Sequence, residues 1–210
     1  MSAEQGSPEW LLERSGHCSA SRFHDVIAKI KSGAPAAGRK NYRALIVVER
    51  LTGQPVPTYH NAAMQWGNDV EPEARRWVEA ESGMLVEKVG FVKHPDIEWV
   101  GASPDGLLGD DGGVEIKCPY ESSNHIALLR WGMQDEHRAQ VQGNMWVTGR
   151  KWWYLASFDP RMPDHLKLYI TKIKRDDEYI AKLELEVRSF LKEVAEEEAF
   201  LRGWKRLAIG

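Results

Sequence analysis

Ser103-Pro104-Asp105-Gly106, then Leu107-Leu108-Gly109-Asp110-Asp111-Gly112-Gly113, then Val114-Glu115-Ile116-Lys117-Cys118, is the stretch that decides how this chain reads. An Asp at a strand end is joined to a Glu-x-Lys strand through a turn at 109–113 rich in Gly and Asp. Glu115 and Lys117 are two residues apart, so their side chains share one face of the strand. Asp105 faces them if the two strands pair through the turn. Two carboxylates and the backbone carbonyl of Ile116 are hard oxygen ligands, suited to Mg²⁺ or Mn²⁺ rather than zinc. Lys117 beside them would orient an attacking water or stabilise charge growing on a phosphate. That is enough equipment to cut a phosphodiester with metal-activated water. The plainer alternative is a turn at Asp105-Gly106 and two solvated strand residues. Against it, a Glu and a Lys on one face of a strand that otherwise reads as buried need partners.

Outward from this hairpin, residues 97–102 and 113–118 read as strands, preceded by a strand over 85–94. Upstream lie a short amphipathic helix over 8–13, a helix over 22–31 capped by Ser19 or Ser21, a loop over 32–39 and a helix over 41–51. A longer helix spans 62–82, with Pro72 inside it predicting a break near Val70-Glu71. Downstream, helices over 122–131 and 134–147 precede a strand pair over 151–158 and 166–173, and a charged amphipathic helix over 176–201 ends the pattern. Helices, a meander, helices, a strand pair and a helix predict an α/β (α+β) fold with a central mixed sheet covered by helices. No linker divides the sequence, and 210 residues read as a single domain, 1–210.

Composition narrows the class. A 42% hydrophobic and 28% charged chain buries an ordinary core, and no apolar run is long enough for a membrane span. The opening MSAEQGSPEW lacks a basic-then-apolar pattern, so no secretory signal is expected. Two cysteines, Cys18 and Cys118, fit a reducing cytoplasm better than a disulfide framework. A net charge of -3 argues against a protein that coats nucleic acid, but not against a nuclease whose metal-binding acids lower the sum.

Glu71, near the expected break, is a third carboxylate candidate; Glu73 and Glu79 on the same helix read as solvated. Gln140 and Gln142 stand about 200° apart on a helix and cannot reach one site. His137, Gln140 and Asn144 share a polar stripe that matters only if its helix borders the cleft.

Six strings in order carry a resemblance across nearly the whole chain: Arg14-x-Gly16-x-x-Ser19-Ala20-Ser21, Trp66-Gly67-x-x-x-Glu71, Ser103-Pro104-Asp105-Gly106, Glu115-x-Lys117-Cys118-Pro119, Gln140-Val141-Gln142-x-x-Met145-Trp146-Val147-Thr148 and Asp159-Pro160-Arg161-Met162. Together they resemble the phage lambda-type exonuclease family, viral recombination nucleases of the PD-(D/E)xK superfamily with a restriction-endonuclease-like core. The resemblance implies a Mg²⁺-dependent homotrimeric ring in which Mn²⁺ can substitute. It implies processive removal of mononucleotides from the 5′ end of one strand of linear duplex DNA, leaving a 3′ overhang. It makes Asp105 and Glu115, with the Ile116 carbonyl, the metal ligands, Glu71 an assistant at the metal and Lys117 the catalytic lysine. Arg14, Ser19, Ser21, Ser103 and Gln140 would hold the terminal 5′-phosphate or nearby backbone, as a guanidinium and hydroxyls can. Met64 would be an apolar wedge between strands and Lys31 a basic residue of a mobile arch. A single-strand annealing protein would be the partner, in the cytoplasm of a bacterial host cell. The sequence departs from the family at Ser19, where Thr is usual, at His137, where an aromatic is common, and at Lys31, where Arg is usual. Two other readings use the same residues: a related endonuclease or nickase, and a non-cutting DNA-end-binding recombination factor.

Overall fold

The structure, a computed structural model, describes residues 3–57 and 61–205. In chain order its elements are α1 (Pro8–Arg14), β1 (Cys18–Ser19), α2 (Phe23–Ile27), α3 (Ala37–Thr52), α4 (Ala62–Ser82), β2 (Val92–Lys93), β3 (Val100–Ala102), β4 (Gly106–Leu108), β5 (Gly112–Lys117), α5 (Ser122–Trp131), α6 (Asp135–Thr148), β6 (Trp152–Phe158), β7 (Leu168–Lys174) and α7 (Asp177–Arg202).

The expected mixed sheet is β4-β5-β6-β7, in which β5 and β6 run parallel and the other pairs antiparallel. Parallel neighbours need a crossover, and α5 and α6 supply it. Gly112 and Gly113 are glycines because the rings of Trp152 and Trp153 lie on them: a Cβ would meet Trp152 Cζ2 at 2.1 Å and Trp153 Cη2 at 2.3 Å. The strands read over 85–94 and 97–102 are shorter than expected. Only Val92–Lys93 and Val100–Ala102 are strands, and with β1 they form a second sheet, β1-β3-β2. Asp105 therefore does not end a strand that pairs with β5; it lies between β3 and β4, and it is β4 that makes the hairpin with β5. Three-residue strands leave too few alternations for periodicity to register.

The helix read over 22–31 stops at Ile27. A left-handed Gly33 and a bridge between Lys29 and Pro35 turn the chain back instead. α4 runs unbroken through Pro72. The proline removes one helical hydrogen bond, but Val70, Ala74 and Val78 are buried against Val86, Leu108, Val114, Ile116 and Phe158. Each such valine contributes about 1.5–3 kcal/mol on burial, enough to offset the roughly 3 kcal/mol cost of an interior proline. On α7, Ile180, Leu183, Val187, Phe190 and Val194 recur at helical spacing and pack in a core with Tyr42, Ile46 and Val47 of α3. No helix among the described residues is long and apolar enough to cross a membrane.

Candidate active site

β5 delivers Glu115 and Lys117 to one face, where they are hydrogen-bonded to each other. Lys117 Nζ donates to Glu115 Oε1 at 2.8 Å and to Gln140 Oε1 at 2.9 Å. Gln140 Nε2 donates back to Glu115 Oε1, and Asn144 Nδ2 donates to Glu115 Oε2 at 3.0 Å. Glu115 is only 3% exposed, so these donors are what make its burial tolerable. The stripe of α6 thus borders the cluster, and Gln142 points elsewhere, to the Lys174 carbonyl and the Asp176 amide. Burial works against the Lys117 ammonium, yet Glu115 and Asp105 hold its pKa above the ordinary lysine range. With Glu115 beside it, Lys117 carries its charge at neutral pH. Burial and the Lys117 charge push His137 down, which leaves that imidazole neutral.

Asp105 is held by β5: Oδ2 accepts the Ile116 amide at 2.7 Å, which pins the carboxylate to the strand that carries Glu115 and Lys117. Burial, then Glu115, then Glu71 push its pKa well above the usual aspartate range. Glu71 is also raised, by burial first, with Arg75 opposing and Glu115 adding. The three carboxylates therefore share one field. Arg75, one helical turn beyond Glu71, donates to Glu71 Oε1 at 2.5 Å and to the Asp105 carbonyl at 3.3 Å. Sequence reasoning placed Asn144 on the polar stripe but missed Arg75. A Glu and an Arg four apart look like any surface helix pair.

A second constellation lies on the β1 side. Arg14 Nη2 donates to Ser19 Oγ at 3.1 Å and to Ser21 Oγ at 3.0 Å, and the two hydroxyls are 3.1 Å apart. α3 fixes this loop from behind. Tyr42 Oη accepts the Ser19 amide at 2.8 Å, Glu49 accepts the Gly16 amide at 2.8 Å, and Arg50 donates to the Gly16 carbonyl at 2.9 Å. The parallel pairing Ser19↔Gly101 sets the segment leading to Ser103 beside the one leading to Ser21. Ser103 Oγ is buried with no hydrogen-bond partner among the described residues, an unmet polar group that calls for a ligand or water.

α6 joins the two constellations. Gly143 lies against the turn between Ser19 and Ser21: a Cβ there would meet Phe23 Cδ2 at 2.4 Å and Ala20 Cβ at 3.2 Å. Gly143 is one turn from Gln140 and about 60° around the helix. The serine pocket and the Glu115–Lys117 cluster are thus held on neighbouring sides of one rigid element. Lys31, in an exposed turn, and Met64, exposed in the first turn of α4, bond to neither constellation.

Residues 9–151 match the YqaJ-like viral recombinase domain, and that span holds Arg14, both serines, Glu71, Asp105, Glu115, Lys117 and Gln140. The chain belongs to the YqaJ-like viral recombinase family. Its fold is also that of a solved alkaline exonuclease, LHK-Exo from Laribacter hongkongensis. The two are 43% identical with a TM-score of 0.86, over 93% of this chain and 96% of that one. The same relative solved in complex with dAMP superimposes at a TM-score of 0.87. A phage-related exonuclease from Haemophilus somnus 129PT, 16% identical, shares the fold at a TM-score of 0.70, over 88% of this chain and 96% of that one. ExoD, an uncharacterized protein of Escherichia coli (strain K12), is 36% identical over 64 residues, 30% of this chain and 72% of its own.

The donor chemistry of this YqaJ-like site fits a hard divalent ion. Three carboxylates face two cations, Arg75 and Lys117, and burial first, then the neighbouring carboxylates, raises Asp105. No three His, Cys, Asp or Glu side chains among the described residues form a ready cage. Mg²⁺ does not need one, since it takes one or two carboxylates and fills its octahedron with waters and substrate phosphates.

Proposed function

We propose that this chain is a Mg²⁺-dependent exodeoxyribonuclease that degrades one strand of linear double-stranded DNA from its 5′-phosphorylated end. The observation that carries the reading is the placement of the Arg14–Ser19–Ser21 pocket and the Glu115–Lys117–Gln140 cluster on adjacent sides of α6. A pocket that grips a terminal phosphate at a fixed distance from the cutting groups gives direction, and an internal site offers no such phosphate to grip. The exonuclease named for the 43%-identical relative, and the nucleotide in its second structure, support the same reading.

In this mechanism Arg14, Ser19, Ser21 and Ser103 bind the 5′-phosphate through charge-assisted hydrogen bonds. Asp105, Glu115 and the Ile116 carbonyl would hold Mg²⁺, which supplies Lewis-acid polarisation of the phosphate and acidifies bound water. Asp105 Oδ2, bonded to the Ile116 amide, keeps its carboxylate turned to β5. Lys117, a cation between Glu115 and Gln140, stabilises negative charge gathering on the scissile phosphate. Gln140 holds both Lys117 and Glu115 in register, and Glu71 accepts hydrogen bonds from water at the edge of the cluster. Met64 separates the strands at the fork and Lys31 contacts the duplex backbone. Processive release of mononucleotides by a homotrimeric ring of single-domain subunits, Mn²⁺ substituting for Mg²⁺, a 3′ overhang handed to a single-strand annealing protein, and action in a bacterial cytoplasm complete the proposal.

Incubation with Mg²⁺ and linear duplex bearing or lacking a 5′-phosphate, beside a covalently closed circle, tests it. Mononucleotides released faster from the phosphorylated end, with the circle intact, are expected. Cutting of the circle makes the chain an endonuclease or nickase. Binding of ends without cutting makes it an end-binding factor.

A further inference from the structure

Arg75 is placed as no solvent-exposed helix arginine is. Its side chain is only 12% exposed, and one terminal nitrogen reaches both the Glu71 carboxylate and the main-chain carbonyl of Asp105, 30 residues away. Its Nε is buried and has no hydrogen-bond partner among the described residues. Ala74 and Val78, its neighbours on α4, are fully buried against β5 and β6, so the guanidinium projects from a helix packed onto the sheet. It joins the helix that carries Glu71 to the loop that carries Asp105.

We propose that Arg75 is a positioning residue of this site: it sets the Glu71 carboxylate and the Asp105 main chain in one arrangement before a divalent ion arrives. The inference rests on the reading of Asp105, Glu115 and Glu71 as an ion-binding edge. The guanidinium nitrogen that makes both bonds holds its two N–H groups in one fixed plane, whereas an ammonium is a point charge on a flexible stem. Orientation and charge pull in opposite directions here, which makes the role measurable. As a positive charge beside the cluster, Arg75 repels a cation, so its removal by charge alone would tighten ion binding. As an orienting group, its removal would weaken ion binding, by roughly the 10-fold to 100-fold typical of groups that hold metal ligands in place.

The test is calorimetric titration of the full chain with Mn²⁺ in the absence of DNA. Arg75→Met, which keeps the apolar stem, is expected to bind Mn²⁺ about 10-fold to 100-fold more weakly than the unsubstituted chain. Unchanged or tighter binding overturns the inference. Arg75→Lys keeps the charge without the fork and is expected to resemble Arg75→Met; full affinity in that variant overturns the inference as well. The pair Glu71→Gln and Arg75→Met is expected to lose less than the product of the two single losses, and losses that multiply in full overturn a role exerted through Glu71. Thermal unfolding in chelator checks that each variant is folded, and Arg75→Lys carries the test if Arg75→Met is not. An unsubstituted chain that binds no Mn²⁺ overturns this inference and the functional reading together. A chain that cuts DNA while its Arg75 variants keep full Mn²⁺ affinity overturns this inference alone.

Discussion

The Lys117 ammonium lies 2.8 Å from Glu115 Oε1, two residues back along the same strand, and Gln140 closes the triangle from α6. The strand's two-residue period brings the carboxylate and the ammonium together, and the helix fixes both. Because Glu115 and Asp105 keep Lys117 charged, the role proposed for it is electrostatic.

Lys117→Met tests that assignment. Cleavage of phosphorylated linear duplex is expected to fall by about 100-fold or more, the scale of losing one preorganised charge-stabilising donor. Binding of the same duplex, read by fluorescence anisotropy, is expected to change by only a few-fold. Turnover that persists would remove Lys117 from the chemistry.

Arg14→Ala addresses direction. The guanidinium meets Ser19 and Ser21, so its loss would strip the pocket of its charge while leaving the cluster on β5 untouched. A hydrogen bond to a charged group contributes about 1.5–3 kcal/mol, so 5′-phosphorylated ends are expected to slow by roughly 10-fold to 100-fold more than 5′-hydroxyl ends. Initial rates on the two substrates give the ratio, and equal slowing would place Arg14 outside the pocket.

What was legible in the sequence follows from range. Asp105, Glu115 and Lys117 stand out because strand periodicity puts 115 and 117 together and a Gly-rich turn returns the chain to 105. The stripe of His137, Gln140 and Asn144 was equally visible, but its meaning depended on which way α6 faced, and that is set by Gly143 packing on Ala20 and Phe23 over a hundred residues away. Arg75 was invisible because its second partner is a main-chain carbonyl, which leaves no trace in residue identity. β1 and β4 were missed because two or three residues cannot display alternation, and β1 pairs with a strand far along the chain. Glu79, read as solvated, instead accepts the Val86 amide and ties the end of α4 to the next segment.

The raised carboxyls predict how an ion stabilises the fold. Glu71 and Asp105 hold their protons more tightly when folded than when unfolded. Their contribution to stability is therefore complete below about pH 4 and is lost as pH rises through their elevated folded values. A divalent ion competes with those protons and replaces their charge-neutralising effect. The rise in melting temperature on adding Mn²⁺, over the same protein in chelator, is expected to be larger at pH 8 than at pH 5. An identical rise at both values would mean that the ion binds away from these acids.

Asp159 behaves in the opposite sense and supplies a control on the same molecule. It is fully buried, and burial alone would raise its pKa, but Arg161 grips both of its oxygens and Ser122 donates at 2.7 Å, so it falls to about 2. Arg161 also donates to the carbonyls of Pro119 and Tyr120, just past Lys117, and lies 4.4 Å over the ring of Trp66 on α4. The pair thus ties the end of β5 to the helix that carries Glu71. A carboxyl lowered from an ordinary value near 4 contributes about 2 kcal/mol, present above pH 4 and lost as pH falls toward 2. Asp159→Asn removes the charge and keeps the shape. In urea titrations the unsubstituted chain is expected to exceed the variant by about 2 kcal/mol at pH 7, and by clearly less at pH 3, where the unfolded carboxyl is already largely protonated. A difference that stays constant between the two pH values would show that Asp159 acts through packing, and would leave the tie between β5 and α4 to Arg161 alone.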